Sequence, residues 1–326
     1  MTSRRTFLAK AAAAGASPWI LPAQAQSPLP GKVVKIIVPF QPGGAPDMMA
    51  RLIGTELGKL WSQSVIVENR AGAGGSIGTE FVARAPADGA TLLLNGIATH
   101  GINPALYKNL SYDPVRDFTP LTMIGTLANV LLAGKNFPAN NLQQLIDLAR
   151  AHPGMYSYSS VGNGTSPHLC GELLCQMAGI KLTHVPYKGS AAALNDILGG
   201  QVPLGFDNLT TGLPFIKDGK VKALAVTTKA RSPLLPNVPT LEESGVPGYD
   251  LTAWAGIVAP ANLPPALAQK ISADIGTILR KPAVAQQLLT LGVSASPNTP
   301  AEFAGFISTE ISKFRALAHK ANLQMG

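Results

Sequence analysis

From residue 33 onward the apolar positions alternate between two rhythms. The run "VVKIIVPF" (residues 33–40) is apolar at every position but Lys35, the pattern of a strand buried on both faces. Met49, Leu52, Ile53, Leu57, Leu60 and Trp61 then recur three and four apart, which is one face of a helix. "SVIVENR" (64–70) reads as the next strand, "GTEFVARAPADG" (78–89) as a short helix with its stop, and "ATLLLNG" (90–96) as a third strand. A βαβαβ order of this kind predicts a parallel sheet with right-handed crossovers.

A second series follows. "FTPLTMIGTLANVLLA" (118–133) reads as one long strand region, "NLQQLIDLARAHPG" (141–154) as a helix with a Pro-Gly stop, and "MYSYSS" (155–160) as a strand. A glycine loop, a helix, strand "THVPY" (183–187), helix "SAAALNDILGG" (190–200) and strands "VPLGFDN" (202–208) and "VKALAVTT" (221–228) complete it. "YDLTAWAGIVAP" (249–260) is a further strand, and residues 263–323 read almost entirely as helix. The fold class expected is α/β, with two Rossmann-like lobes and a ligand cleft between them. Lobe one takes residues 27–125 plus 250–326, lobe two takes 126–249, and the chain crosses twice. Ligands of such folds bind at the carboxyl ends of the parallel strands.

Composition sharpens this picture at the N-terminus. Residues 1–25 carry Arg4-Arg5, Phe7-Leu8, a modest alanine-rich apolar run and Ala23-Gln24-Ala25, the pattern of a twin-arginine export signal with a small-x-small cleavage site. That run is too short to span about 30 Å of hydrocarbon. The expectation is therefore an exported, periplasmic protein. Removing Arg4, Arg5 and Lys10 with the leader lowers the formal charge from +8 to +5. A mild positive excess can steer small anions; without a basic run or basic-aromatic interleaving, nucleic acid is not expected as a partner. Cys170 and Cys175 fall on one helix, about 8 Å apart and turned away from each other, so the pattern predicts free core thiols.

Two loops carry the candidate chemistry. In "VPFQPGGAPD" (38–47), Gly43 and Gly44 join a strand to a helix whose first N–H groups point back at the loop, a local anion site. It lacks the second glycine and the lysine of a phosphate loop, and Asp47 reads as a first-turn residue satisfying backbone N–H groups. "SSVGNGTSPH" (159–168) repeats the same logic in lobe two, with the hydroxyls of Ser159, Ser160, Thr165 and Ser166. "AGAGGSIG" (71–78) misses the dinucleotide spacing and follows the second strand, which argues for close backbone approach to a ligand or to the other lobe. The chain has no nucleophile elbow, no zinc-protease motif and no Cys-x-x-Cys. Its five histidines (His100, His152, His168, His184, His319) show no ligand spacing. The reading is thus not an enzyme, with no cofactor and no metal.

Seven segments in order, "PFQPGGAPD", "VENRAGAGGSIGTEFVARAPADGATLL", "YDPVRDFTPLT", "GNGTSPHLCGELL", "HVPYKGSAAALNDILGGQV", "RSPLLPNVPTLEESGVPGYD" and "WAGIVAPANLPP", resemble the Bug receptors. These are the TctC family, the extracytoplasmic solute-binding proteins of tripartite tricarboxylate transporters. The resemblance implies a Venus-flytrap protein that binds a small organic carboxylate and presents it, as a monomer, to membrane transporter subunits. It assigns Phe40, Gln41, Pro42, Gly43, Gly44 and Asp47 from one lobe and Ser160, Gly162, Asn163, Gly164 and Thr165 from the other to the ligand. Asp207 matches a family acid facing the cleft, and Gln41 stands where a small residue is frequent. The segment "NGIATHGINPAL" (95–106) is where specificity residues are expected to vary, with Thr99 and His100 as candidates. A sensor that presents ligand to a signalling partner shares every one of these residues, and an exported α/β enzyme is a further alternative that predicts turnover of a bound carboxylate.

Overall fold

A computed structural model describes residues 31 and 33–321. The candidate leader, residues 1–25, lies outside them. The chain runs β1 (Val34–Val38), α1 (Ala45–Trp61), β2 (Val65–Asn69), α2 (Ser76–Ala83), β3 (Thr91–Gly96), α3 (Asn103–Leu106) and β4 (Phe118–Leu127). It continues through β5 (Asn129–Gly134), α4 (Leu142–Ala151), β6 (Ser157–Ser160), α5 (Ser166–Ala178), β7 (Thr183–Pro186), α6 (Ser190–Leu198), β8 (Leu204–Asn208), α7 (Leu209–Lys217) and β9 (Val221–Val226). It ends with β10 (Ala253–Pro260), α8 (Pro265–Leu279), α9 (Pro282–Thr290), β11 (Val293–Ala295) and α10 (Pro300–Ala321).

Two sheets organise the described residues, one in the order β11-β4-β10-β3-β1-β2 and the other β7-β6-β8-β5-β9. The first holds the expected parallel trio, β2-β1-β3, but β10 runs antiparallel between β3 and β4. In the second, β6 is parallel to β7 and β8, while β5 is antiparallel to β8 and β9. The result is the two-lobed α/β architecture with a cleft.

Three local readings change. The run read as one long strand is two: β4 ends at Leu127 in the first sheet, and β5 starts at Asn129 in the second. Apolar periodicity reports burial, and residues on both sides of this break are buried. Helix α7, "LTTGLPFIK", was not expected because Gly212 and Pro214 interrupt its pattern. Strand β11 is three residues long and disappears inside a helical tail.

Packing follows the sequence pattern where that pattern is strong. Helix α1 buries Met49, Ile53, Leu57 and Trp61, each worth about 1.5–3 kcal/mol when fully buried. The Trp61 indole N–H donates to Asp274 Oδ2 at 2.7 Å, fastening α1 to α8. Ser62 ends the helix in left-handed backbone, with its N–H on Gly58 O. Between the lobes, the chain crossings are stitched at Thr227: its N–H donates to Asn129 O at 3.0 Å, and its hydroxyl donates to Leu251 O at 2.9 Å. Cys170 is buried, Cys175 is half-buried, and both are free thiols.

Candidate functional site

Strand β1 delivers the first loop to the mouth of α1. Gly43 sits at φ +82°, left-handed backbone that an L side chain resists. Its N–H donates to Asp47 Oδ2 at 3.0 Å, the oxygen that also accepts from Arg51 Nε at 3.0 Å. Asp47 Oδ1 accepts from Asn69 Nδ2 at 3.0 Å, and the same Nδ2 donates to Phe40 O at 3.1 Å. Burial pushes the Asp47 carboxyl up, but the bonds from Arg51, Gly43 and Asn69 outweigh it and hold the pKa below the usual value. Asp47 is therefore the brace behind the loop rather than part of its ligand-facing wall.

The second loop is braced differently. Gly162 and Gly164 take φ of +134° and +74°. Thr165 Oγ1 donates to Gly162 O at 2.7 Å, and Ser160 Oγ accepts from Gly162 N–H at 3.2 Å. Gly164 N–H donates to His168 Nδ1 at 3.2 Å. The His168 and His184 rings stack at 4.1 Å, and burial lowers both to about 4, so they are neutral at ordinary pH. An unprotonated Nδ1 is what lets His168 accept from the loop.

Between these loops lies a cavity of about 800 Å³, within the usual range for ligand sites. Helices α1, α2, α5 and α6 all begin at its wall, through Gly44, Gly75, Thr165 and Gly189, and none of these cap residues bonds its own helix with a side chain. Their first N–H groups and dipoles favour an anion. Among the described residues, Lys188 is the one charged residue lining the cavity, and no carboxylate lines it.

The lobes meet around this space. A Cβ on Gly74 would lie 3.0 Å from Asn163 O, and one on Gly164 would lie 3.2 Å from both Asn103 Oδ1 and Tyr107 OH. One on Gly189 would lie 3.6 Å from Gln41 Cβ. The glycines of "AGAGG" thus serve approach to the other lobe, and the structure has its jaws together.

Of the residues singled out from sequence, Phe40, Gln41, Pro42, Gly43, Gly44, Gly162, Asn163 and Thr165 line the cavity. Asp47, Ser160, Gly164, Thr99, His100 and Asp207 do not. Ser160 is spent on the loop and on His184 Nε2, at 2.7 Å. Gly164 packs against Asn103 and Tyr107. Asp207 is buried, accepts from Ser190 Oγ at 2.8 Å and from Asn208 N–H at 2.7 Å, and is raised to about 6 by burial. It supports Ser190 and Asn208, which do line the cavity.

Thr99 and His100 are corrected for a backbone reason. Residues Ala98–Ile102 form a π-helical turn rather than an open loop. That turn buries His100 against Phe118, with ring centroids 4.8 Å apart, and sets Thr99 Oγ1 3.0 Å from His100 Nδ1. Asn95, Gly96, Ile97 and Ala98 face the cavity in their place. The cavity wall thus takes Asn95 to Ala98 from the segment 95–106, and the π-helical turn withdraws Thr99 and His100 from it. Sequence reasoning missed Lys188 as well, although that residue stands in the quoted "HVPYKGS".

Comparison with known proteins gives the family. The model of the tripartite tricarboxylate transporter family receptor matches residues 49–323. The "UPF0065 protein in tcbD-tcbE intergenic region" of Pseudomonas sp. (strain P51) is 36% identical over 296 residues, covering 90% of this chain and 88% of that protein. Rpa4515 of R. palustris, solved with adipate, superposes with a TM-score of 0.87 at 34% identity, over 90% of this chain and 99% of that one. MatC of Rhodopseudomonas palustris, solved with bound malate, gives 0.83 at 33% identity, over 88% and 99%.

Proposed function

The chain belongs to the tripartite tricarboxylate transporter receptor family, and from that premise we propose that it captures a small organic carboxylate between its lobes in the periplasm and delivers it to the membrane subunits of such a transporter. Residues 27–125 with 250–326 act as one jaw and 126–249 as the other, a division supported by the membership of the two sheets. Both jaws come from one chain, so the site is complete in a monomer. Among the described residues no helix is long and apolar enough to cross a membrane.

One observation carries the ligand class: the cavity is lined by four helix N-termini and one lysine, with no carboxylate. Phe40, Gln41, Pro42, Gly43 and Gly44 hold the anion from one side, and Gly162, Asn163 and Thr165 from the other. Asp47, Ser160, Gly164 and Asp207 act through them. The free N–H groups at the helix N-termini solvate an anion without a buried ion pair, while Gly43 N–H and Thr165 Oγ1 hold their own loops in shape, so release requires only that the lobes part. Micromolar affinity needs about −8 kcal/mol, within reach of a few charge-assisted hydrogen bonds and contact with Phe40 after the ordering cost.

A thermal-shift screen over mono-, di-, tri- and aromatic carboxylates tests this reading. A ligand at 100 times its Kd adds about 2.7 kcal/mol of stability. A screen in which no carboxylate moves the midpoint would sink the proposal. Turnover of a bound carboxylate, rather than its recovery unchanged, would favour an enzyme.

A further inference from the structure

Polar atoms left without partners in a protein interior mark places where something else completes the structure. Among the described residues, five side chains hold buried N or O atoms with no hydrogen bond: Asn95, His100, Asn103, Ser159 and Asp207. Four of these lack a partner at a single atom and stand outside the cavity lining. Asn95 differs on both counts. It belongs to the cavity wall, is 0% exposed, and lacks a partner at both Nδ2 and Oδ1.

Its surroundings make the anomaly sharper. Asn95 follows Leu92, Leu93 and Leu94 on β3 and pairs with Gly256 of β10. Met49, Leu94, Leu127 and Trp254 also line the cavity. A leucine at position 95 would continue the strand's own pattern, and replacing an unbonded buried amide with an apolar group of similar shape is neutral or stabilising. The amide is thus a cost to the ligand-free fold.

We propose that Asn95 is a specificity-determining residue whose amide binds a second polar group on the ligand, beyond the carboxylate held by the glycine loops. The inference rests on the carboxylate reading above. The amide supplies one donating and one accepting end without charge. The preferred ligand is accordingly a carboxylate whose apolar body carries a further hydrogen-bonding group, and a plain alkanoate or benzoate is rejected because it leaves the amide unpaired.

The test uses two probe pairs, adipate against hexanoate and terephthalate against benzoate, titrated calorimetrically into the parent protein and into Asn95→Leu. The parent is expected to bind one bifunctional probe at least tenfold more tightly than its monofunctional partner. In Asn95→Leu that preference falls below threefold, while the melting temperature of the ligand-free protein stays level or rises. Should Asn95→Leu fail to fold, Asn95→Ala carries the same comparison of affinities. Equal affinities within both pairs, or a preference that survives the substitution, overturn the role of Asn95 and leave the carboxylate reading standing. A loss of ligand-free stability with the preference intact assigns the amide to the fold and overturns the proposal. If no probe of either pair binds, the inference about Asn95 falls, and the thermal-shift screen over the wider set of carboxylates decides the carboxylate reading by itself.

Discussion

Replacing Asp47 by asparagine removes a charge without removing bulk, and the structure says what that should cost. The carboxylate accepts three hydrogen bonds, from Gly43 N–H, Arg51 Nε and Asn69 Nδ2, and is 4% exposed. An asparagine whose oxygen faces Gly43 and Arg51 must turn its NH₂ toward Asn69. That Asn69 nitrogen cannot swap for its oxygen cheaply, because it also donates to Phe40 O and its own Oδ1 accepts from Arg51. One donor is left facing another, and the bond from Gly43 N–H becomes a neutral one, while the Arg51 guanidinium keeps its own bond charge-assisted. At about 1.5–3 kcal/mol for a bond to a charged group and about 1 kcal/mol for a neutral one, losing one charged bond and neutralising another should cost about 2–5 kcal/mol. The pH dependence gives an independent reading. The folded-state pKa of Asp47 is lowered from 3.8, so its contribution is fully present well above that unfolded value and is lost as pH falls through the depressed folded one. Urea unfolding of the parent and of Asp47→Asn between pH 7 and pH 2.5 should show two curves that converge as acid is added. Stabilities within 0.5 kcal/mol of each other at pH 7, on the scale expected for an uncoupled surface change, would refute the brace. So would a gap that stays constant down to the lowest pH.

Gly75→Ala should lower the melting temperature and weaken ligand binding together, because the residue sits at φ +92° and its Cβ would lie 2.9 Å from Thr99 Cγ2 and 3.2 Å from Phe40 Cζ; an unchanged melt would contradict the crowding. Thr165→Ala should weaken carboxylate binding by about 1 kcal/mol by freeing the loop carbonyl of Gly162, measurable by calorimetry, and equal affinity would remove that hydroxyl from the site's support. Gln41→Cys with Gly189→Cys places its β-carbons near 3.6 Å, within disulfide reach. Oxidation should slow ligand exchange, and reduction should restore it. Cys170 is buried, with its thiol pushed up to about 12 by burial, so a thiol reagent should leave it unmodified in the folded protein while labelling it fully in urea.

The strand and helix order was legible wherever an element carried a strong rhythm, as in α1 and in β1, apolar at every position but Lys35. The break at Ala128 was not, because hydrophobicity records that residues 118–133 are buried and says nothing of which sheet receives them. The two glycine loops could be found from residue type alone, since left-handed backbone at Gly43, Gly162 and Gly164 demands glycine. The displacement from Thr99 and His100 to Asn95 could not, because a π-helical turn has no compositional signature. Whether a buried asparagine has a partner is a property of tertiary packing, invisible to a string of letters.

The place of β10 has a consequence for how the molecule is built. This strand lies between β3 and β4, yet all of β5 to β9 separates it from them along the chain. During synthesis the second sheet is complete in sequence before the centre of the first exists. Until residue 260 is available, β3 presents an unpaired edge and β4 has no neighbour on that side. Pairings this distant close late and leave edges open to mispairing. Lobe two can therefore form first as an uninterrupted unit, and β10, arriving late between two waiting strands, joins the two halves of the first sheet before β11 closes its edge against β4.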